Sequence, residues 1–439
     1  MQDHFLRLAD FAATRMRSGE GFLLRYSGEQ SSFIRFNRAA VRQSGTVEQH
    51  YLSIELFNGR RHLSQRLAIT GHADDQQRLH DTISGLREML SSAPEDPHFL
   101  VGNSVHSTDR NDSGRLLPDD AVIPAILNRA AGKDFVGFYA SGPIHHGFAN
   151  SFGQRNWDTV HTFSLDGCFY LQSDKAVKLS YGGREWDDAE FAKVIARAQT
   201  QLSFLERTPK TIAPGGYRAF LSPAAMEELL GMLGWGGFGL AAHRTGTTPL
   251  IRLARGEITL NPMVHLIENT KAGLAPTFQD EGFVKPASVT LIENGQYKDC
   301  LASPRSAGEF GAPHNGANSD ESPAALEMAP GQLADDDILP ALGTGLLIGN
   351  LWYLNYSDRN ACRLTGMTRF ATFWVENGAI AAPVNVMRFD DSIYRILGEN
   401  LIALTSARDW RLSTDTYDAR STASMHIPGA LIDDFRLTL

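Results

Sequence analysis

The feature that most constrains this chain is a turn signal that occurs twice. Residues 346–391, LLIGNLWYLNYSDRNACRLTGMTRFATFWVENGAIAAPVNVMRFDD, contain an aromatic and threonine-rich run, 370–374, that leads into Glu376-Asn377-Gly378. Asn-Gly is the dipeptide that most readily supplies two consecutive positive φ angles, so a β-hairpin is predicted here. Pro383 has no N–H to give to a ladder and fits the edge or the early part of the return strand. The same device stands earlier, where residues 288–292 run through Glu293-Asn294-Gly295 into 296–301. Two such hairpins predict a second half built on sheet.

The first half alternates between periods. Phe5, Leu8, Phe11 and Ala12 are spaced for an amphipathic helix. Residues 21–26 and 33–36 read as two strands, and 41–57 as a longer one ending at Asn58-Gly59. Helices are predicted over 74–91 and from Asp119 or Asp120, with strands at 135–139 and 158–172. Asp187 with Glu190 resembles a capping box that opens a helix burying Phe191, Val194, Ile195, Ala198 and Leu202. Pro209, Pro214, Gly215 and Gly216 then mark a boundary. The expectation is an α+β protein: an N-terminal mixed α/β domain over 1–206, a linker at 207–217, and a β-rich C-terminal domain with antiparallel hairpins over 218–439. Asp335, Asp336 and Asp337 are expected to cap a helix near Ile338, because adjacent carboxylates diverge too much for a hard-cation site.

Composition excludes several classes. The 439 residues carry 41 Lys and Arg against 50 Asp and Glu, a formal charge of −9, and the most basic stretch, 35–61, spreads its arginines along a strand-like pattern. Direct nucleic-acid binding is disfavoured. Cys168, Cys300 and Cys362 are too widely spaced for a disulfide framework or a zinc knuckle, which suits reduced thiols in the cytoplasm. The apolar run at 345–354 is too short to cross a bilayer, and the N-terminus lacks a signal-peptide core.

Before the second hairpin stand Tyr356-Ser357-Asp358-Arg359, Cys362-Arg363 and Thr365-Gly366-Met367-Thr368-Arg369, which read as a polar loop. Upstream are Phe278-Gln279-Asp280-Glu281-Gly282, the segment Ser303-Pro304-Arg305-Ser306-Ala307-Gly308-Glu309-Phe310-Gly311, and Asn150-Ser151-Phe152-Gly153. Together these resemble the TldD/PmbA family, once called modulators of DNA gyrase, over most of the chain from Asn150 onward.

For its catalytic branch the resemblance implies a zinc metallopeptidase with a helix reading His-Glu-x-x-x-His. Two imidazoles about one turn apart hold Zn²⁺ and the glutamate activates its water. The corresponding helix here is 222–235, with Ser222 as N-cap and Pro223 at the first position. Aligning Met226 and Leu229-Leu230 puts Gly231 and Gly236 at the histidine positions and Met232 at the glutamate. Glu227-Glu228 lie nearby and His243 is the next histidine, but none of the 14 histidines has another four or five positions away. Gly231, Gly234, Gly236, Gly237 and Gly239 are expected to end the helix early.

Substitute chemistry is equally sparse. His145 and His146 are neighbours that a strand would point to opposite faces, and His161, His265 and His314 are isolated. Cys362 reads as a small buried apolar residue rather than a nucleophile. There is no G-x-S-x-G elbow or Walker loop, and the G-x-G-x-x-G match at 234–239 follows a helix instead of a strand.

The resemblance therefore implies the TldE (PmbA) type, a subunit without its own metal or other cofactor that pairs with a zinc-bearing TldD-type subunit or with itself. Such a pair would enclose a chamber that cleaves unfolded or small peptides or matures peptide antibiotics. Asn150, Asp280, Glu281, Arg369 and Arg388 are the candidate peptide-binding or interface residues. The alternative for Asp280-Glu281-Gly282 and Arg369 is that they pin turns and strand ends. Two other readings stay open: a homodimeric binding or structural protein, and an autonomous metallopeptidase with an atypical ligand set.

Overall fold

The structure, a computed structural model, describes residues 1–172 and 175–439. The first half opens with helix α1 (Gln2–Thr14) and strands β1 (Glu20–Asn37), β2 (Ala40–Asn58) and β3 (Arg61–Ala68). Helix α2 (Asp74–Leu90), β4 (Thr108–Asp112), α3 (Asp119–Ala130), β5 (Asp134–Asn150), β6 (Arg155–Gln172), β7 (Lys175–Gly183) and α4 (Asp188–Leu205) follow. The seven strands run β3-β2-β1-β5-β6-β4, with β7 on β6, and only β4 lies parallel to its neighbour. Phe22, Leu24 and Tyr26 of β1 pack with Phe5 and Leu8 of α1 and Leu79 and Ile83 of α2. Further along the same strand, Ile34 and Phe36 join the core of α3 and α4.

The two short strands expected over 21–36 are one continuous strand. Ser27 to Ser32 break the apolar alternation, yet they pair with β2, and most of them also with β5. Glu29 and Ser31 are buried, bonded to one another, and met by Arg420 from the far end of the chain. A polar run inside a strand was tolerated because a distant residue satisfies it.

The second half holds β8 (Gly215–Leu221), α5 (Pro223–Gly234), β9 (Leu266–Glu268), β10 (Val289–Glu293), β11 (Gln296–Tyr297) and β12 (Ala325–Met328). It continues with β13 (Gly345–Asp358), β14 (Arg363–Glu376), β15 (Ala379–Pro383), β16 (Arg388–Ser392), β17 (Leu401–Leu412) and β18 (Ser424–Leu437). The sheet runs β11-β10-β9-β12-β18-β16-β14-β13-β8, and β18 also pairs with β8, so part of it closes on itself. Both Asn-Gly turns form as expected, Asn294 and Gly295 at φ 50° and 75°, Asn377 and Gly378 at 51° and 74°. Hairpins are joined by two parallel pairings, β8 with β13 and β12 with β18, that the turn signals did not announce.

The presumed polar loop before the second hairpin is mostly strand. Tyr356 to Asp358 end β13, Arg363 to Arg369 begin β14, and the turn is only the four residues between. Gly366 is required there, since a Cβ would stand 2.7 Å from the Phe389 ring. Asp335–Asp337 form a 3-10 turn ahead of the helix Ile338–Leu342, but no side chain makes a capping bond. The last residues of the expected linker, 215–217, already lie in β8, and Arg207 and Lys210 are bonded to β15, Arg207 Nη1 donating to Ile380 O at 2.6 Å.

Candidate functional site

Helix α5 begins as its sequence requires. Ser222 Oγ accepts from Ala225 N at 3.2 Å, Pro223 takes the first turn, and Met226, Leu229, Leu230 and Leu233 are buried. The helix runs through Gly231 and stops at Gly234, three residues later than the first glycine suggested. One glycine costs only about 1 kcal/mol, which the buried face outweighs. The stop comes where Trp235 leaves helical geometry and Gly236 turns left-handed at φ 75°.

The Tyr-Ser-Asp-Arg segment holds this end in place. Tyr356 Oη donates to Met232 O at 2.7 Å, and Arg359 donates to Trp235 O and, at 2.7 Å, to Thr247 O. These donors satisfy carbonyls that the end of a helix leaves unpaired. The motif residues at 356 and 359 therefore act on the helix where the zinc motif is missing.

The three vacant positions differ physically. A Cβ on Gly231 would meet nothing nearer than Met425 Cε at 3.9 Å, so this position opens into a cleft. Met232 is 5 % exposed and belongs to the core. At Gly236 a Cβ would lie 3.1 Å from Arg359 Nη2 on a backbone that disfavours side chains. Among the described residues no three His, Cys, Asp or Glu side chains are grouped as metal ligands. The residues at 231, 232 and 236 do not fit the zinc that the family motif implies.

The cleft has a volume of about 610 Å³ and lies between the two halves. One wall is β6 and β7, from Ser164 to Asp166 and Lys178 to Gly182, and the other is α5 with Trp352, Tyr353, Trp410, Arg411 and Met425. Register breaks in β13 and a positive φ of 58° at Tyr353 turn the two aromatics outward, leaving Trp352 44 % and Tyr353 76 % exposed. Arg411 pairs with Glu227 at 2.7 Å and also reaches Ser180. Lys178 Nζ stands 3.5 Å from Asp166 Oδ1. Glu228 forms no ion pair among the described residues; its side chain is exposed at the cleft, where partial desolvation, then Glu227, pushes its carboxyl up against the pull of Lys178 and Arg411. The indole N–H of Trp410 is buried without an acceptor, and Asp166 Oδ1 has no hydrogen-bond donor.

The sequence-derived candidates fall in three places. Asn150 is buried in the β5–β6 turn, where its Oδ1 accepts from Phe152 N and Gln154 N and its Nδ2 donates to Gly102 O at 3.0 Å. Glu281 meets the same segment through its backbone, accepting from Gly102 N at 2.7 Å, and burial followed by Asp280 pushes its carboxyl up. Asp280 accepts from Arg25 Nε through its carbonyl at 2.6 Å, with its side chain at the surface. Arg369 lies over the Trp352 ring at 4.7 Å, on the rim of the cleft. Arg388 is elsewhere, bonding Thr365 Oγ1 at 3.0 Å and, through its backbone, Leu439. The lining groups Trp352, Tyr353, Trp410 and Arg411 were not singled out; the one signal was a Trp-Tyr pair interrupting strand alternation.

The isolated histidines stay apart. His145 Nδ1 lies 2.9 Å from Thr159 Oγ1, while His146 lines a different cavity beside Lys285. His161 bonds Asp112 O, and His314 packs edge-on against Phe283. Cys362 is fully buried, with its thiol pushed up by that burial.

Fold and site together define an α+β protein of two sheet domains, with a helix-lined cleft between them. Residues 214–439 match the model of the PmbA/TldA metallopeptidase C-terminal domain, so the chain belongs to the TldD/PmbA family, which is metallopeptidase-related. Three solved structures share the fold. A TldE from Thermococcus kodakarensis aligns with a TM-score of 0.78 at 13 % identity, covering 99 % of this chain and 100 % of that one. A proposed modulator of a DNA gyrase from Thermotoga maritima MSB8 gives 0.77 at 15 %, covering 99 % of both chains. Another from Bacteroides thetaiotaomicron VPI-5482 gives 0.77 at 16 %, covering 99 % and 98 %. No curated protein matches significantly in sequence. Among the described residues no helix is long and apolar enough to cross a membrane.

Proposed function

We propose that this chain is the non-zinc subunit of a cytoplasmic two-subunit peptidase, contributing chamber wall and peptide-binding surface while a TldD-type partner holds the zinc. The observation that carries this reading is the state of α5: the helix is intact and held by Tyr356 and Arg359, but its ligand positions are an open glycine, a core methionine and a strained glycine. A cleft remains where the chemistry would be. Its aromatic and charged lining, with Glu227, Glu228, Lys178 and Arg411 beside Trp352, Tyr353 and Trp410, suits the side chains of an extended peptide.

The test is metal content and cleavage of an unfolded peptide, for this chain alone and after mixing with a zinc-bearing family member from the same cell. The expected result is no stoichiometric zinc and no cleavage alone, with cleavage increased on mixing. A stable symmetric dimer that changes nothing on mixing points to the binding or structural role instead. One zinc per chain with chelator-sensitive cleavage makes it an autonomous metallopeptidase.

A further inference from the structure

The cleft over α5 carries more than a general affinity for peptide. Glu228 and Gly231 fall at i and i+3 on one face of the helix, and with Trp235, the residue that ends it, they line the cleft. Gly231 leaves a gap in the cleft wall between Glu228 and Trp235, and a Cβ there would touch only the flexible tip of Met425, at 3.9 Å.

The charges in the cleft are nearly all committed. Lys178 faces Asp166 and Arg411 is bonded to Glu227, and although both cations also act on Glu228, its carboxylate is the one in the cleft that forms no ion pair among the described residues. Trp235, Trp352, Tyr353 and Trp410 line the same cleft. Aromatic faces attract cations through their quadrupole. The wall already does so once, with the Arg369 guanidinium 4.7 Å above the Trp352 ring. A free carboxylate beside aromatic faces, with a vacant hole between them, is the chemistry that receives an ammonium or guanidinium group.

We propose that this hole is a side-chain subsite selecting a lysine or arginine of the bound peptide, with Glu228 as its counter-charge. This inference rests on the peptide-binding reading above, and the experiment separates the two.

Fluorescence anisotropy is measured on the full chain with a short unstructured peptide carrying one central lysine, and with glutamine and norleucine twins. The lysine peptide is expected to bind about tenfold tighter at low salt, with the margin shrinking as salt rises. Glu228→Gln is expected to erase the difference and Glu228→Lys to reverse it; this side chain is at the surface, and a thermal melt verifies that both variants fold. Gly231→Leu fills the hole and is expected to weaken all three peptides. If the peptides bind equally, the subsite is wrong and the peptide surface stands. If lysine preference survives Glu228→Gln, the counter-charge is misassigned and the proposal falls. If none of the peptides binds, the peptide-surface reading fails and takes the subsite with it.

Discussion

The two halves of this molecule meet in two ways that could hardly differ more. In the segment between β17 and β18, Arg420 reaches back into the first sheet and is buried, donating to Gly142 O at 3.0 Å, Thr162 O at 2.8 Å and Ser31 Oγ at 3.3 Å, beside Glu29. In the cleft over α5, among the described residues, the exposed Glu228 forms no ion pair, though Lys178 and Arg411 act on it from nearby, and the Trp410 indole N–H has no acceptor. A buried charge is tolerated only when its partners are complete, so the first contact is a lock. The second leaves groups open and is where another molecule has a reason to bind.

The sharpest way to break this contrast is at the lock. Arg420→Ala removes the guanidinium that serves Ser31, Gly142 and Thr162 and balances the charge of Glu29, which is 2 % exposed, and is expected to cost about 3 kcal/mol in urea denaturation. Pairing it with Glu29→Gln should return part of that loss, since the uncompensated charge is then gone while the acceptors at Ser31, Gly142 and Thr162 stay unserved. Little recovery would mean that the lost packing matters more than the charge.

Next is an attempt to rebuild the missing motif. Met232→Glu places a carboxylate in the core and is expected to destabilise by about 3 kcal/mol or more, whereas Gly231→His, facing open space, should fold normally. The triple variant with Gly236→His is expected to hold no stoichiometric zinc by elemental analysis, because the helix has ended before position 236. Stoichiometric zinc in a folded triple variant would show that the end of α5 can rewind.

A smaller effect is expected from Tyr356→Phe, which removes the donor to Met232 O. The loss should be about 1 kcal/mol, read as a lower melting temperature together with a change in Trp235 emission. An unchanged melt would mean that the helix end does not depend on this bond.

The smallest effect separates the cleft from the lock by sign. The Glu228 carboxyl is raised in the folded chain, so the native state binds more protons than the unfolded state just above the ordinary glutamate range. Stability therefore falls as pH rises through that window, and Glu228→Gln should relieve the penalty at neutral pH. Solvent screening keeps the gain within about 0.5 kcal/mol, and it should vanish in acid. Destabilisation at neutral pH would mean that Glu228 has a structural partner.

Much of this was legible locally. Both Asn-Gly turns and the caps at Asp187 and Ser222 depend on a few adjacent residues, and each forms, Asp187 Oδ1 accepting from Ala189 N and Glu190 N. What was illegible depends on distant partners. Residues 27–32 looked like a gap because their satisfaction comes partly from Arg420, and the stretch from Tyr356 to Arg369 looked like a loop because its polar groups serve β16 and the end of α5. The vacancy at 231, 232 and 236 was visible in sequence. That one of these positions faces open space and another the core required the fold.

Glu29 and Arg420 are 391 residues apart in sequence. During synthesis the first sheet emerges long before the residue that completes its polar interior. Its strands can pair early, but the lock can close only after the 391 further residues up to Arg420 have been made. Chain growth therefore separates local folding from final consolidation, and a product truncated ahead of Arg420 would carry an exposed, incompletely neutralised sheet for chaperones or proteases to find.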